Sequence, residues 1–318
     1  MSNTKIAFIG AGGLANNVHY PSIDLMDDVD LVGIAELNEE RLQKTADKYE
    51  VEGRYSDYTK MIDEAEPDAV YIIMPPMYLH DLVVGCLERG RHVFVEKPPG
   101  MTAYQTATWA RLAEEKELLT MCGFNRRHIP CLKAAKERIE AKGPINQCRS
   151  TFIKNGNAAG YYNGAIDILT CDAIHAVDSL RWLGGEVVSL ASDIGHFESE
   201  AANAFNVLMK FDTGAVGFLN TNWRAGGRVH SWEIHGSGIS AFVDPDHEGA
   251  RIHEDNKLNA DLIKPSENDD DPSYLWFGFY HEDRHFVDCV KSGETPITHF
   301  GDAAKTMELV ERIYDGQI

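Results

Sequence analysis

Up to about residue 122, short apolar runs alternate with stretches whose apolar residues recur at helical spacing. The runs cover residues 5–9, 30–35, 68–74, 92–95 and 118–122, and the helical stretches 39–49, 79–89 and 103–116 lie between them. A continuous apolar run suits a strand covered on both faces, whereas a helix lying on a sheet needs only one apolar stripe. Strands alternating with helices of roughly 10–15 residues predict βαβ units, and right-handed crossovers then give a parallel, doubly wound sheet. Pro21 interrupts the first helical stretch, which predicts a short opening turn and a second piece from Ser22 onward.

After about residue 123 the pattern changes. Residues 126–142 and 169–183 keep helical spacing, but 185–244 reads as strands separated by short turns. Phe205, Val207, Met209 and Phe211 alternate with other residues in period two, and Asp212-Thr213-Gly214 supplies a hairpin signal before the strand candidates 216–223 and 229–236. Such strands fit a large, open-faced, mainly antiparallel sheet in an α+β domain, with helices on one face. A free face carrying Phe, Leu and Trp predicts contact with another subunit, as a homodimer or homotetramer. The expected organisation is a dinucleotide-binding domain over 1–123 and a substrate-binding and oligomerisation domain over 124–318. Residues 266–271 read as a solvated acidic loop, and 277–291 and 302–314 as closing helices.

Composition narrows the class. At 318 residues, with 43% hydrophobic and 25% charged positions, the chain has material for two cores. Its 30 basic and 50 acidic residues leave a net charge of −20, which argues against nucleic acid and anionic lipid as partners. No apolar run approaches the length of a membrane span, and the start of the chain lacks the charged and apolar regions of an export signal. Six scattered cysteines without a CxxC pair suit the reduced thiols of a cytoplasmic protein. His281 and His285 are four apart, but neither they nor any Cys/His set matches a closed metal site, so no metal is expected.

Candidate chemistry clusters at strand exits. The first run leads into Gly10-Ala11-Gly12-Gly13-Leu14-Ala15, a turn in which Gly10 allows the bend, Gly12 the close approach of a pyrophosphate, and Ala15 the small third position. Glu36, after the second run, can accept the ribose hydroxyls of an adenosine and would repel a 2′-phosphate, favouring NAD over NADP; Arg41 keeps NADP open. Pro75, Pro76 and His80 follow the third run, where Pro75 and Pro76 can pack on a flat ring and His80 starts a helix or meets the cofactor. The fourth run ends in Glu96-Lys97-Pro98-Pro99, a charged pair presented by two prolines that stop the strand. In 169–183, Asp172, His175 and Ser179 share one face, and Asp172 and His175 are close enough for the carboxylate to orient the imidazole as a proton shuttle.

The order of these motifs, with Gly123-Phe124-Asn125-Arg126-Arg127 and the Asp/His helix, resembles the glucose–fructose oxidoreductase / inositol dehydrogenase / rhizopine-catabolism (Gfo/Idh/MocA) family over nearly the whole chain. The resemblance implies a Rossmann domain, an NAD(P)-dependent oxidoreductase, and a sugar, sugar derivative or cyclitol as substrate. It implies that Lys97 stands at the catalytic centre, often followed by a cis proline, with Glu96 beside the cofactor and with Asn125 and Arg127 bordering nicotinamide or substrate. The family's acid stands four residues before its histidine, where this chain has Cys171; His175 therefore carries over more directly than Asp172. The loop 155–164 departs from the family's wording, so substrate specificity does not carry over. Two alternatives remain at this stage: a non-catalytic NAD(P)-binding sensor or regulator, and a reductase of a C=N or C=C bond.

Overall fold

The computed structural model describes residues 3–156, 159–268, 270–316 and 318. Asn157 and Ala158 of the loop 155–164, and Asp269 of the acidic stretch, lie outside the described residues. The chain divides into two compact units: one holds the chain up to Phe124 with Ser273–Leu275 and Phe279–Lys305, the other Asn125–Pro272, Trp276–Gly278 and the chain from Thr306 onward.

The first unit is a six-stranded, wholly parallel sheet: β1 (Thr4–Ile9), β2 (Val29–Ala35), β3 (Arg54–Tyr55), β4 (Ala69–Ile72), β5 (His92–Glu96) and β6 (Thr120–Gly123). Their order, β3-β2-β1-β4-β5-β6, is doubly wound and reverses direction between β1 and β4, where ligands of such sheets bind beyond the carboxyl ends. The helices are α1 (Tyr20–Asp24), α2 (Glu39–Lys48), α3 (Tyr58–Ala65), α4 (Leu79–Glu88) and α5 (Ala103–Glu115). Asn38, Asp57 and Thr102 cap α2, α3 and α5 by accepting main-chain N–H groups at 2.9, 2.8 and 3.2 Å, which fixes where each helix starts. A π-helical turn, Ala15–His19, runs directly into α1, so the second piece starts at Tyr20, before Pro21, and not at Ser22 as expected.

The second unit contains α6 (Pro130–Glu140), β7 (Ile145–Asn155), α7 (Ile174–Gly184) and the strands β8 (Val187–Gly195), β9 (Ala204–Phe211), β10 (Val216–Asn222), β11 (Arg224–Gly236), β12 (Ile239–Asp244), β13 (Gly249–Glu254) and β14 (Lys257–Ile263). The eight strands order as β14-β13-β12-β11-β7-β10-β9-β8, antiparallel except where β7 runs parallel to β10. The expected alternation holds in β9: Phe205, Val207, Met209 and Phe211 are buried, while Asn206, Leu208 and Lys210 face outward. Trp223 and Trp232 are buried on the inner face, whereas Phe218 and Phe242 stand half-buried on the outer one. β7, near the middle of the sheet, was not signalled by the hydrophobic pattern because its inward positions include Ser150 between Cys148 and Phe152. The expected helix 126–142 starts only at Pro130, after a 3₁₀ turn at Asn125–His128, since proline occupies a first turn readily but not a helix interior.

The chain closes with α8 (Ser273–Trp276), α9 (Phe279–Ser292) and α10 (Phe300–Asp315). α9 begins at Phe279 because Gly278 has φ +91° and a Cβ there would lie 2.2 Å from the Asn125 carbonyl oxygen. Phe286 and Val287 of α9 enter the first unit's core, where the rings of Phe8, Tyr20, Tyr71 and Phe94 stack at centroid distances of 4.3 to 4.9 Å. Each such pair adds about 0.5–1.5 kcal/mol beyond its area burial. Among the described residues, no helix is long and apolar enough to cross a membrane.

Candidate active site

The glycine turn has the geometry of a phosphate cradle. Gly10 has φ +107°, and a Cβ on it would meet the Ile73 carbonyl oxygen at 2.5 Å, so only glycine fits. Space is open around Gly12 and Gly13, where an added Cβ would find no atom within 4 Å, while Leu14 is exposed and Ala15 buried. These residues suit a pyrophosphate laid on the loop and the start of the turn behind it. Asn16 ties the loop to α2, donating to the carbonyls of Ala11 and Gly12 at 3.0 and 3.2 Å and to Thr45 Oγ1 at 3.0 Å. Glu36, at the exit of β2, accepts the Ala11 N–H at 3.0 Å with one oxygen and the Asn38 N–H at 2.9 Å with the other, which holds the carboxylate at the rim of the cradle.

Two further exits of the same sheet border this place. Pro75 and the buried Pro76 open a 3₁₀ turn before α4, and His80 accepts the Trp109 Nε1–H at Nδ1 (3.0 Å), which puts the ring's own hydrogen on Nε2. At the end of β5 Glu96 is buried, Lys97 half-buried, and the Lys97–Pro98 peptide is cis. Glu96 accepts the Lys97 N–H at 2.9 Å and faces the buried ring of His19, which in turn meets Asp283. His19 and Asp283 are 264 positions apart and nothing in the sequence pattern joined them.

In the second unit the π-helical turn Leu169–Ala173 leads into α7 and carries Asp172; His175 follows in the first turn of α7, and both are buried. Asp172 accepts from the Tyr161 hydroxyl at 2.5 Å and from Lys154, and Tyr161 accepts the Trp223 Nε1–H at 3.1 Å. Burial, together with the Asp172 charge, pushes the Tyr161 phenol well above its ordinary range, so it stays a donor. Ser179, on the face shared with Asp172 and His175, accepts the Trp232 Nε1–H at 2.8 Å. His230 stacks between Phe152 and Trp232 at 4.0 and 4.2 Å; burial, and then the charges of Arg126, Arg228 and Lys154, hold it well below its ordinary value and therefore neutral.

Asn125 and Arg127 are built into this unit. Asn125 donates to the Phe277 carbonyl at 2.8 Å, and the Arg127 guanidinium clamps Asp178 with two bonds of 2.8 and 2.6 Å, both side chains being buried. Lys154, Tyr161, Trp223 and His230 escaped the sequence reading; the same parity of Phe152 and Lys154 in β7, and of His230 and Trp232 in β11, is the signal that would have found part of this set. His281 and His285 lie on α9, where His285 Nε2 accepts the Ile297 N–H at 3.1 Å.

Known proteins resemble this chain in sequence and fold. The family model described as an oxidoreductase family with an NAD-binding Rossmann fold matches residues 4–124, and that of the GFO/IDH/MocA C-terminal domain matches residues 134–241. The chain is 27% identical to the myo-inositol 2-dehydrogenase of Thermotoga maritima, over 96% of this chain and 93% of that protein. It is 25% identical to the scyllo-inositol 2-dehydrogenase (NAD(+)) of Bacillus subtilis, over 96% and 91%. A solved levoglucosan dehydrogenase, in complex with NADH and L-sorbose, matches with a TM-score of 0.86 at 19% identity, covering 99% of this chain and 97% of that one, a likeness of fold. With both of its halves matched in order, the chain belongs to the Gfo/Idh/MocA family of NAD-binding oxidoreductases.

Proposed function

We propose that this oxidoreductase moves a hydride between NAD and a secondary hydroxyl or ketone of a sugar, sugar derivative or cyclitol, with Lys97 and His175 serving the reacting oxygen. The observation that carries the reading is the exit of β5, where half-buried Lys97 follows a strand buried from Val93 to Glu96 at the carboxyl edge of the dinucleotide-binding sheet. The inositol dehydrogenases among its relatives support a polyhydroxylated substrate. So does the second unit's donor and acceptor set of Lys154, Tyr161 and Asp172, since a site rich in such groups rewards hydroxyls and rejects their absence.

When bound, the nicotinamide supplies the hydride acceptor at C4. His175 takes the hydroxyl proton during oxidation and returns it during reduction. The ammonium of Lys97 stabilises the negative charge that develops on the same oxygen. Asp172 holds Lys154 and Tyr161 in place as substrate-binding donors. A spectrophotometric screen of NAD and NADP reduction against inositols, aldoses, sugar nucleotides and sugar acids tests the reading. Cofactor binding without turnover across that panel would reject it in favour of a sensor.

Glu36 favours NAD by offering a carboxylate to the ribose and repelling a 2′-phosphate. Glu36→Ala is expected to lower the NAD over NADP ratio in kcat/KM by about tenfold, the scale of one charged hydrogen bond. An unchanged ratio would remove Glu36 from cofactor choice. We further propose a homodimer or homotetramer formed through the outer face of the eight-stranded sheet, where Leu208 is exposed and Phe218 and Phe242 are half-buried. Light scattering that finds a monomer would refute this. A cytoplasmic location is consistent with buried, inert thiols such as Cys86, Cys131 and Cys148, each pushed up to about 12 by burial; recovery of the protein from an exported fraction would count against it.

A further inference from the structure

Behind the strand exit that carries Lys97, three carboxylates surround one imidazole. His19 is fully buried, with Nε2 3.1 Å from Glu96 Oε1 and Nδ1 3.0 and 3.2 Å from the two oxygens of Asp283. Glu282, also buried, brings a carboxylate oxygen within 4.8 Å of both His19 and Asp283. The rings of Tyr71, Phe94 and Phe279 pack around the imidazole at 6.3, 5.4 and 5.9 Å, and Ser22 hydrogen-bonds Asp283.

A neutral imidazole has one N–H and one lone pair, so it can donate to only one of two carboxylates and must turn its lone pair to the other. In a buried site that mismatch sets one acceptor against another and is costly. An imidazolium donates to both. Electrostatics point the same way: burial opposes charge on the ring, but Asp283 and then Glu96 outweigh it and raise the imidazole well above its ordinary 6.5. Burial lifts Asp283 to about 6, so its carboxylate is still ionised near neutrality.

The other oxygen of Glu96 links this cluster to the chemistry. It accepts the Lys97 main-chain N–H at 2.9 Å, and Gly123 keeps the space beside Glu96 clear, since an added Cβ would stand 3.1 Å from Oε1. We propose that His19 is a positioning residue for Lys97: held as an imidazolium between Glu96 and Asp283, it fixes the carboxylate that in turn fixes the lysine's main chain. The proposal rests on the reading that Lys97 serves the reacting oxygen. Because the ring's folded-state pKa lies above its unfolded value, the contribution of the ring's charge is fully present below about pH 6.5, so long as Asp283 keeps its own charge above about pH 6, and is lost as pH rises through the folded value.

Nitrogen-15 spectra of histidine-labelled protein at pH 7.5, with the His19 signals assigned by their loss in His19→Gln, test the proton directly. Both ring nitrogens of His19 are expected to carry hydrogen; one bare nitrogen overturns the proposal, as does a stoichiometric divalent metal in the purified protein. In His19→Leu, kcat is expected to fall about 10–100-fold with KM for NAD nearly unchanged, the scale of a small misplacement of a catalytic group. In Asp283→Asn the ring needs only the hydrogen facing Glu96, so the ratio of kcat at pH 9 to that at pH 7 should rise at least about threefold over wild type. A folded His19→Leu enzyme with normal kcat, or an unmoved pH profile in Asp283→Asn, overturns the proposal. Normal turnover by Lys97→Met would overturn the role through Lys97 itself, whereas an inactive Lys97→Met beside a neutral His19 overturns the proposal alone.

Discussion

Lys97→Met is expected to lower kcat by about 10²–10⁴-fold, the usual scale for one acid–base or charge-stabilising group. Methionine keeps much of the length and apolar stem of lysine but loses the ammonium, so the half-buried position at the end of β5 stays filled. The glycine turn, Glu36 and the Pro75–Pro76 exit are untouched by the change, and NADH binding, followed by fluorescence titration, should remain within about threefold of wild type. The combination of lost turnover and retained binding separates a group that acts on the reacting oxygen from one that merely seats the cofactor. Near-normal kcat in this variant would refute the assignment of Lys97, and a parallel loss of NADH binding would make it a cofactor residue instead.

Arg127→Met is expected to act on stability. Its guanidinium is bonded twice to Asp178, itself fully buried and held by the Thr306 hydroxyl at 2.9 Å. Removing the cation leaves a fully buried carboxylate without its counter-charge, and breaking a buried pair in this one-sided way costs about 3–5 kcal/mol. Removing both partners, as in Arg127→Met with Asp178→Leu, should cost much less because no charge is stranded. Denaturant unfolding of the wild type and the three variants gives the coupling directly. If Arg127→Met unfolds like wild type but loses NAD affinity, the residue belongs to the cofactor site after all.

Much of the first unit was legible because its signals are local. Five of the sheet's six strands are short apolar runs, and Gly10, Gly12 and Glu36 sit at fixed offsets from strand ends; β3, only Arg54 and Tyr55, and α3 behind it were not expected, because two residues carry no apolar run. The second unit was legible only where side chains alternate cleanly, as in β9. β7 mixes Ser150 with Cys148 and Phe152 on its inner face, so its period-two signal is weak although it lies among the innermost strands. α7 was read as having an apolar and a polar face, yet nearly every side of it is buried. Its polar positions are matched by distant partners: Ser179 by Trp232, Asp178 by Arg127 and Thr306, Arg181 by Thr306. No periodicity encodes such pairs, because each depends on two segments meeting in the folded chain. The same holds for His19 and Asp283.

The placement of α9 has a consequence for biogenesis. Phe286, Val287 and Asp283 reach the nucleotide-binding unit only after the whole eight-stranded sheet has left the ribosome. A nascent polypeptide of this kind cannot follow the usual rule in which the leading module finishes before the trailing one is made. Its leading half must wait with Tyr71 and Phe94 short of a cover and His19 short of one counter-charge, and it becomes whole only when α9 has been made.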